Sequence, residues 1–122
     1  MFGYYHPIVD REALLRALYA AFNARDIDGV IGQLAPDVDW PNAWEGGRVH
    51  GPDGVRDYWT RQWAAIDPHV TPTAFGTRPD GSIVVEVHQL VRALDGTQIA
   101  ENDVRHVYVF RDDLVTRMDV EE

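Results

Sequence analysis

The run "IVVEVHQLVRALDGTQIAENDVRHVYVFRDDLVTRMDV", Ile83 to Val120, alternates apolar and polar residues and is interrupted at Asp95-Gly96 and at Asp112-Asp113. Period-two alternation marks half-buried strands, and Asp-Gly between two such runs is a strong hairpin signal. Three consecutive strands follow: Ile83 to Leu94, Gln98 to Phe110 and Leu114 to Val120. A two-residue loop at Asp95-Gly96 sets Leu94 opposite Thr97, hence Val85 opposite His106, Val87 opposite Val104, Gln89 opposite Asn102 and Val91 opposite Ala100. That face is mostly apolar. The other face pairs Glu86 with Arg105 and His88 with Asp103, complementary charges suited to water or a partner subunit. A two-residue loop at Asp112-Asp113 likewise sets Phe110 against Val115, Tyr108 against Arg117 and His106 against Asp119. A histidine and a carboxylate then meet on the apolar side.

Working outward, "RPDGS" separates a further strand, Val70 to Thr77, from this run, so the second half is a four-strand meander. The first half is helical. From Asp10, which would cap the first turn, Leu14, Leu18 and Phe22 recur at four-residue steps with Leu15 and Tyr19 beside them. A second short helix after Asp26 carries Ile27, Val30, Ile31 and Leu34 on one face until Pro36 stops it. A third begins at Pro52, lines up Val55, Trp59, Trp63 and Ile66 with Tyr58 and Gln62 on a neighbouring stripe, and closes at Pro68. Between them, Val38 to Trp40 and Arg48 to His50 read as short strands around "PNAWEGG".

A chain of 122 residues forms one domain, here residues 10–122 behind an N-terminal arm of residues 1–9 that is either ordered or flexible. There is no cysteine, so disulfides and thiolate metal sites are excluded, and no histidine spacing suits a metal. A net charge of −9, with every basic residue an arginine, disfavours nucleic acid and anionic membranes as partners. The start lacks a signal-peptide pattern and no apolar run approaches bilayer length, so a soluble, cytoplasmic protein is expected.

The segments "LYAAFNARDIDGVIGQLAPDVDW", "GPDGVRDYW" and "HVYVFRDDLVTRMDV" together resemble the SnoaL-like branch of the nuclear transport factor 2 (NTF2-like) superfamily, over about Asp10 to Val120. The resemblance implies an α+β fold of cystatin-like, NTF2-like type. In it, three N-terminal helices wrap a cone-shaped, curved, mixed or antiparallel sheet around a pocket, and dimers often form through the outer sheet face. Members include ketosteroid isomerases, epoxide hydrolases, polyketide cyclases and proteins without chemistry, so the fold alone assigns no activity. The isomerase pattern is not kept: its tyrosine aligns with Leu18, its base with Asn42 and its oxyanion aspartate with His106. The epoxide hydrolase relay would need Asp103 and Arg105 to face inward, and the register turns them outward. The cyclase pattern, a histidine on the penultimate strand and an aspartate on the last, is matched by His106 and Asp119.

The expected catalytic pair is therefore His106 and Asp119. The carboxylate would remove a proton alpha to a carbonyl and the histidine would hydrogen-bond the developing enolate, without a cofactor. The alternative is a buried ion pair or an exposed contact at the strand ends. Trp40, Trp44, Trp59, Trp63, Tyr19 and Tyr108 are as a group candidate walls of a pocket for a small hydrophobic or aromatic molecule, although core packing is the first reading of any one ring taken singly; Trp44, in a Gly-rich link, is the preferred rim residue. Gln89, Asn102 and Arg117 would orient the ligand, unless the two amides satisfy only each other. The function expected is a cyclase or isomerase acting by proton transfer, or else a non-catalytic binding or dimerising module, with a homodimer formed through the outer face of Val84, Glu86, His88, Leu90, Ile99, Asp103, Arg105 and Val107.

Overall fold

A computed structural model describes residues 10–122; the arm expected over residues 1–9 lies outside them. The Asp10 carboxylate accepts the Ala13 N–H and so starts α1 (Arg11–Asn23), which buries Leu15, Leu18, Tyr19 and Phe22 as one stripe. α2 (Ile27–Ile31) is shorter than its apolar pattern suggested. It ends well before Pro36, because Leu34 already opens β1 (Leu34–Pro41) and buries its side chain there. Then follow β2 (Arg48–His50), α3 (Gly51–Ala65), β3 (Ile66–Thr77), β4 (Ile83–Ala93), β5 (Gln98–Arg111) and β6 (Leu114–Glu121).

The fold is α+β. Its six strands make one open mixed sheet in the order β2-β1-β6-β5-β4-β3, parallel only between β1 and β6. The helices cover one face, α1 against β3 and α3 against β1 and β3, with Val85, Val87, Val104, Tyr108 and Val115 buried between the layers. At the β3 edge, Asn23 of α1 bonds both the N–H and the carbonyl of Val70, at 2.9 and 2.7 Å, occupying backbone groups that an edge strand otherwise leaves open.

Between β4 and β5 the expected partners are found, from Val85 opposite His106 to Val91 opposite Ala100. The route to that register differs from the expected two-residue loop. Ala93 N–H bonds the Thr97 carbonyl and Gly96 N–H bonds the Ala93 carbonyl, so the loop is Leu94 to Gly96, with Gly96 at φ +93°. This extra residue offsets the pairing by one, and a bulge at Ile99 restores it. Ile99 therefore leaves the outer face on which the sequence placed it.

Between β5 and β6 no second change compensates the first. Asp112 and Asp113, both at positive φ, form the expected two-residue loop, and Phe110 faces Val115. A bulge at Thr116 then advances the register. Tyr108 faces Met118 rather than Arg117, Val107 faces Asp119, and His106 faces Val120. Arg117 and Asp119 pass to the outer face and join a closed ring of ion pairs: Arg117 to Asp119 at 2.7 Å, Arg117 to Asp39 at 2.9 Å, Arg48 to Asp119 at 3.0 Å, and Arg48 to Asp39. The physical reason is desolvation. In the expected register both charges would face the apolar side of the sheet, and removing an ion pair from water costs several kcal/mol, whereas the bulge exchanges them for Met118 and Val120.

Candidate functional site

A cavity of about 410 Å³ lies between the helices and the sheet. Its inner wall is made by Tyr19, Trp40, Trp59, His106, Tyr108 and Met118, each no more than 7% exposed. Its mouth is lined by Trp44, Gln89, Asn102, Ile99 and Val120. Trp44 is 40% exposed and Ile99 57%, so the opening carries an apolar rim.

Three buried polar side chains meet on the inner wall. Tyr19 comes from the apolar stripe of α1, His106 and Tyr108 from successive inward positions of β5. The Tyr108 hydroxyl donates to the Tyr19 oxygen at 2.8 Å, and the Tyr19 oxygen lies 2.7 Å from His106 Nδ1. With the Tyr108 hydroxyl donating to Tyr19, the Tyr19 proton goes to the Nδ1 lone pair. In that order the His106 proton is on Nε2. That nitrogen has no partner among the described residues and belongs to a side chain on the cavity wall. Burial lowers the His106 pKa to about 4, so the ring is neutral at physiological pH. Burial also raises both phenols well above the usual tyrosine range. The site thus presents a neutral imidazole hydrogen-bonded to a pair of buried phenols.

Of the residues expected from sequence, Tyr19, Trp40, Trp44, Trp59, Gln89, Asn102, His106 and Tyr108 share this cavity. Trp63 does not line it. Its ring stacks on Trp59 at 5.8 Å, meets Phe22 edge-on at 5.3 Å and lies under the Arg25 guanidinium at 5.2 Å, which makes it part of the packing behind the wall. Arg117 and Asp119 lie on the opposite side of the sheet, so the expected His106–Asp119 pair is not formed, for the bulge described above. Hydrogen bonds from Arg117, chiefly, hold the Asp119 carboxyl below its ordinary pKa, keeping it an ion-pair partner. Gln89 and Asn102 do bond each other, Gln89 Nε2 to Asn102 Oδ1 at 3.3 Å, which leaves the Gln89 oxygen and the Asn102 nitrogen free of that bond.

Two residues missed as site candidates, Tyr58 and Gln62, also line the cavity. The signal was their stripe on α3, adjacent to the apolar one. Tyr58 accepts the Trp44 N–H at 3.3 Å, which ties the link between β1 and β2 to the helix. Asn42, the position aligned with the isomerase base, uses its amide within that link instead: its nitrogen donates to Glu45 at 2.9 Å and its oxygen accepts the Glu45 N–H at 2.7 Å. Among the described residues there is no group of His, Asp and Glu arranged to hold a metal, and no helix is long and apolar enough to cross a membrane.

The model of the SnoaL-like domain matches residues 15–118. Similar solved structures include TerC co-crystallised with polyporic acid, 28% identical over 90% of this chain and 88% of that one, with a TM-score of 0.78. An NTF2-like protein of unknown function from Burkholderia pseudomallei is 27% identical over 93% and 91%, TM-score 0.80. A candidate polyketide cyclase from Xanthomonas campestris is 21% identical over 90% and 87%, TM-score 0.72, a likeness of fold. Among curated proteins none matches the chain.

Proposed function

The chain belongs to the SnoaL-like domain family, and on that premise we propose that it takes up a small hydrophobic carbonyl compound and hydrogen-bonds the carbonyl oxygen to His106 Nε2–H. The observation that carries this reading is the buried Tyr108–Tyr19–His106 chain, which engages Nδ1 and leaves Nε2 without a partner among the described residues, on a side chain that lines the cavity. Aromatic and apolar side chains around that donor suit a hydrophobic ligand. TerC, co-crystallised with polyporic acid, supports small-molecule binding by a chain of similar fold.

A second reading, a cofactor-independent cyclase or isomerase, has support of its own. A neutral imidazole donor stabilises a developing enolate without surrendering its proton, and the phenol relay polarises it further. The proton acceptor cannot be Asp119, which faces away; among the described residues the only carboxylate on the cavity wall is Glu122, at its mouth.

One set of variants tests both readings. With 1-tetralone as probe, His106→Phe should weaken binding about tenfold, the value of one buried hydrogen bond, while Asp119→Asn leaves it within about twofold. If the protein is an enzyme of this type, α-deuterium exchange of bound tetralone, followed by NMR, should exceed the buffer rate and be lost in His106→Phe. Binding without exchange supports the binding module. Equal affinity in wild type and His106→Phe removes His106 from the site.

We also propose a homodimer through the outer sheet face. Val84, Glu86, His88 and Leu90 are partly covered there, and the charges are already matched within the chain, Arg105 with Glu86 at 2.9 Å and His88 with Asp103 at 2.8 Å. An interface on this face would bury pairs rather than lone charges. Sedimentation at micromolar concentration should show a dimer that Arg105→Glu dissociates, since two glutamates would then face each other across β4 and β5 in both protomers. A wild-type monomer refutes it.

A further inference from the structure

The cavity mouth is bordered by the tip of the β1–β2 hairpin, whose Ala43 and Trp44 line the cavity. The tip is a unit in itself. Asn42 N–H bonds the Gly47 carbonyl at 2.9 Å and Gly46 N–H bonds the Asn42 carbonyl at 2.7 Å, while Gly46 and Gly47, at φ +94° and +78°, take a turn that other residues resist. Two side chains of α3 hold this unit down. Arg61 sets a fork on the Glu45 carboxylate, Nη2 to Oε1 at 2.9 Å and Nε to Oε2 at 3.2 Å, and Tyr58 accepts the Trp44 N–H in a longer bond of 3.3 Å. Asn42 orients the carboxylate by donating to Oε1 at 2.9 Å. Arg61 first, and then Asn42, brings the Glu45 pKa down to about 2, so the pair is charged throughout the physiological range. The Arg61 side chain is 50% exposed and that of Glu45 38%, and a fork this open to water fixes a geometry while adding little stability.

We propose that residues 42–47 form a flap over the cavity mouth and that Glu45 and Arg61 are positioning residues, a latch that sets how often the flap lifts. This rests on the reading of the cavity as one that takes up small apolar molecules, and not on His106 as a donor. Because its internal bonds hold the turn together, lifting breaks the Glu45–Arg61 fork and the Trp44–Tyr58 bond in one movement and carries Ala43 and Trp44 away from the mouth. A molecule that passes only when the flap is raised, and resides beneath it when lowered, enters and leaves at rates that both scale with the raised fraction. While that fraction is small, the latch governs rates and leaves affinity alone. A pair that merely shaped the site would change affinity instead.

Arg61→Gln tests the latch, since the side chain is exposed and its loss leaves the core intact. In the free protein, hydrogen exchange of the Trp44 N–H, followed by NMR, should be about threefold faster than in wild type. Salt at about 1 M should bring wild type to the same rate and leave Arg61→Gln unchanged, whereas Arg61→Lys, which keeps the charge, should keep the salt dependence. Toluene, an apolar probe without a carbonyl, should enter and leave Arg61→Gln about threefold faster by NMR line shape, at unchanged affinity. Trp44 exchange that ignores Arg61→Gln and salt overturns the latch. Faster exchange with unchanged toluene rates, or weaker toluene binding at an unchanged entry rate, overturns the flap. Toluene that fails to bind wild type overturns it together with the reading of the cavity as a ligand site. If toluene binds and follows the latch while 1-tetralone gains nothing from His106, the carbonyl reading alone fails and the flap is upheld.

Discussion

Trp59→Ala should lower the free energy of unfolding by about 3–5 kcal/mol, a substantial share of the total for a domain of this size. The ring is 2% exposed and makes three aromatic contacts: edge-on to Trp40 at 5.4 Å and to Phe22 at 5.3 Å, and stacked on Trp63 at 5.8 Å. Truncation removes all three and leaves a hole that the neighbouring rings, fixed by one another, cannot close. The loss should fall near the lower bound because one side of Trp59 already borders the cavity. Trp44→Ala is the contrast. Trp44 holds Tyr58 through its backbone N–H, which the substitution keeps, and its indole is 40% exposed at the cavity mouth, so the change should stay within about 1 kcal/mol. Urea unfolding of the two variants, compared at unchanged m-value, checks this directly. Equal losses would mean that the Trp44 ring is core and that the rim is misplaced.

The same contrast shows what the sequence could and could not disclose about the rings. Trp59 sits on a helical stripe, so its burial was legible from spacing alone. Trp63 shares that stripe, yet it packs behind the wall while Trp59 forms it, because spacing reports which side of a helix is covered and not which layer of the cover meets a void. The β4–β5 pairing was legible for a partly fortuitous reason: a one-residue longer loop and the bulge at Ile99 cancel, so the partners of Val85 to Val91 stay where a two-residue loop would put them.

Nothing cancels on β6, and there the candidate site was misassigned. The information was present in a weak form. In "LVTRMDV" the apolar residues Val115, Met118 and Val120 are separated by two polar residues and then by one, which is the pattern of a strand with one residue bulged out. Reading that pattern required knowing that Arg117 and Asp119 had partners waiting on the far side, Asp39 on β1 and Arg48 on β2, and those come from a parallel strand pairing that local turn chemistry does not reveal. The buried relay was half legible. His106 and Tyr108 share a face by alternation, whereas the approach of Tyr19 depends on how α1 lies across β5, a long-range packing choice.

The protonation of His106 gives the second large effect. Its pKa falls from 6.5 to about 4 on folding because burial penalises the charged ring, so the unfolded chain binds the proton first as pH drops. Stability attributable to this group is fully present above the unfolded value and is lost as pH falls from about 6.5 toward 4, by about 3 kcal/mol in all. The described groups that touch the ring, Tyr19 and Tyr108, stay uncharged throughout this range. Carboxylates held low by arginines, such as Asp39, Asp119 and Glu121, lose their contribution only as pH falls below their own unfolded values, at the acid end of the window. His88 acts with the opposite sign: bonded to Asp103 and Glu101, its pKa is raised, so its contribution is present below 6.5 and disappears as pH rises through the elevated folded value. Wild type should therefore lose about 2–3 kcal/mol more than His106→Gln between pH 7 and pH 4.5, measured by urea unfolding at each pH. Parallel losses in the two proteins would mean that the imidazole charges in the folded state. In that case Nε2–H would no longer be a neutral donor, and affinity for a carbonyl ligand would vary between pH 5 and 8, where a ring that stays neutral keeps it constant.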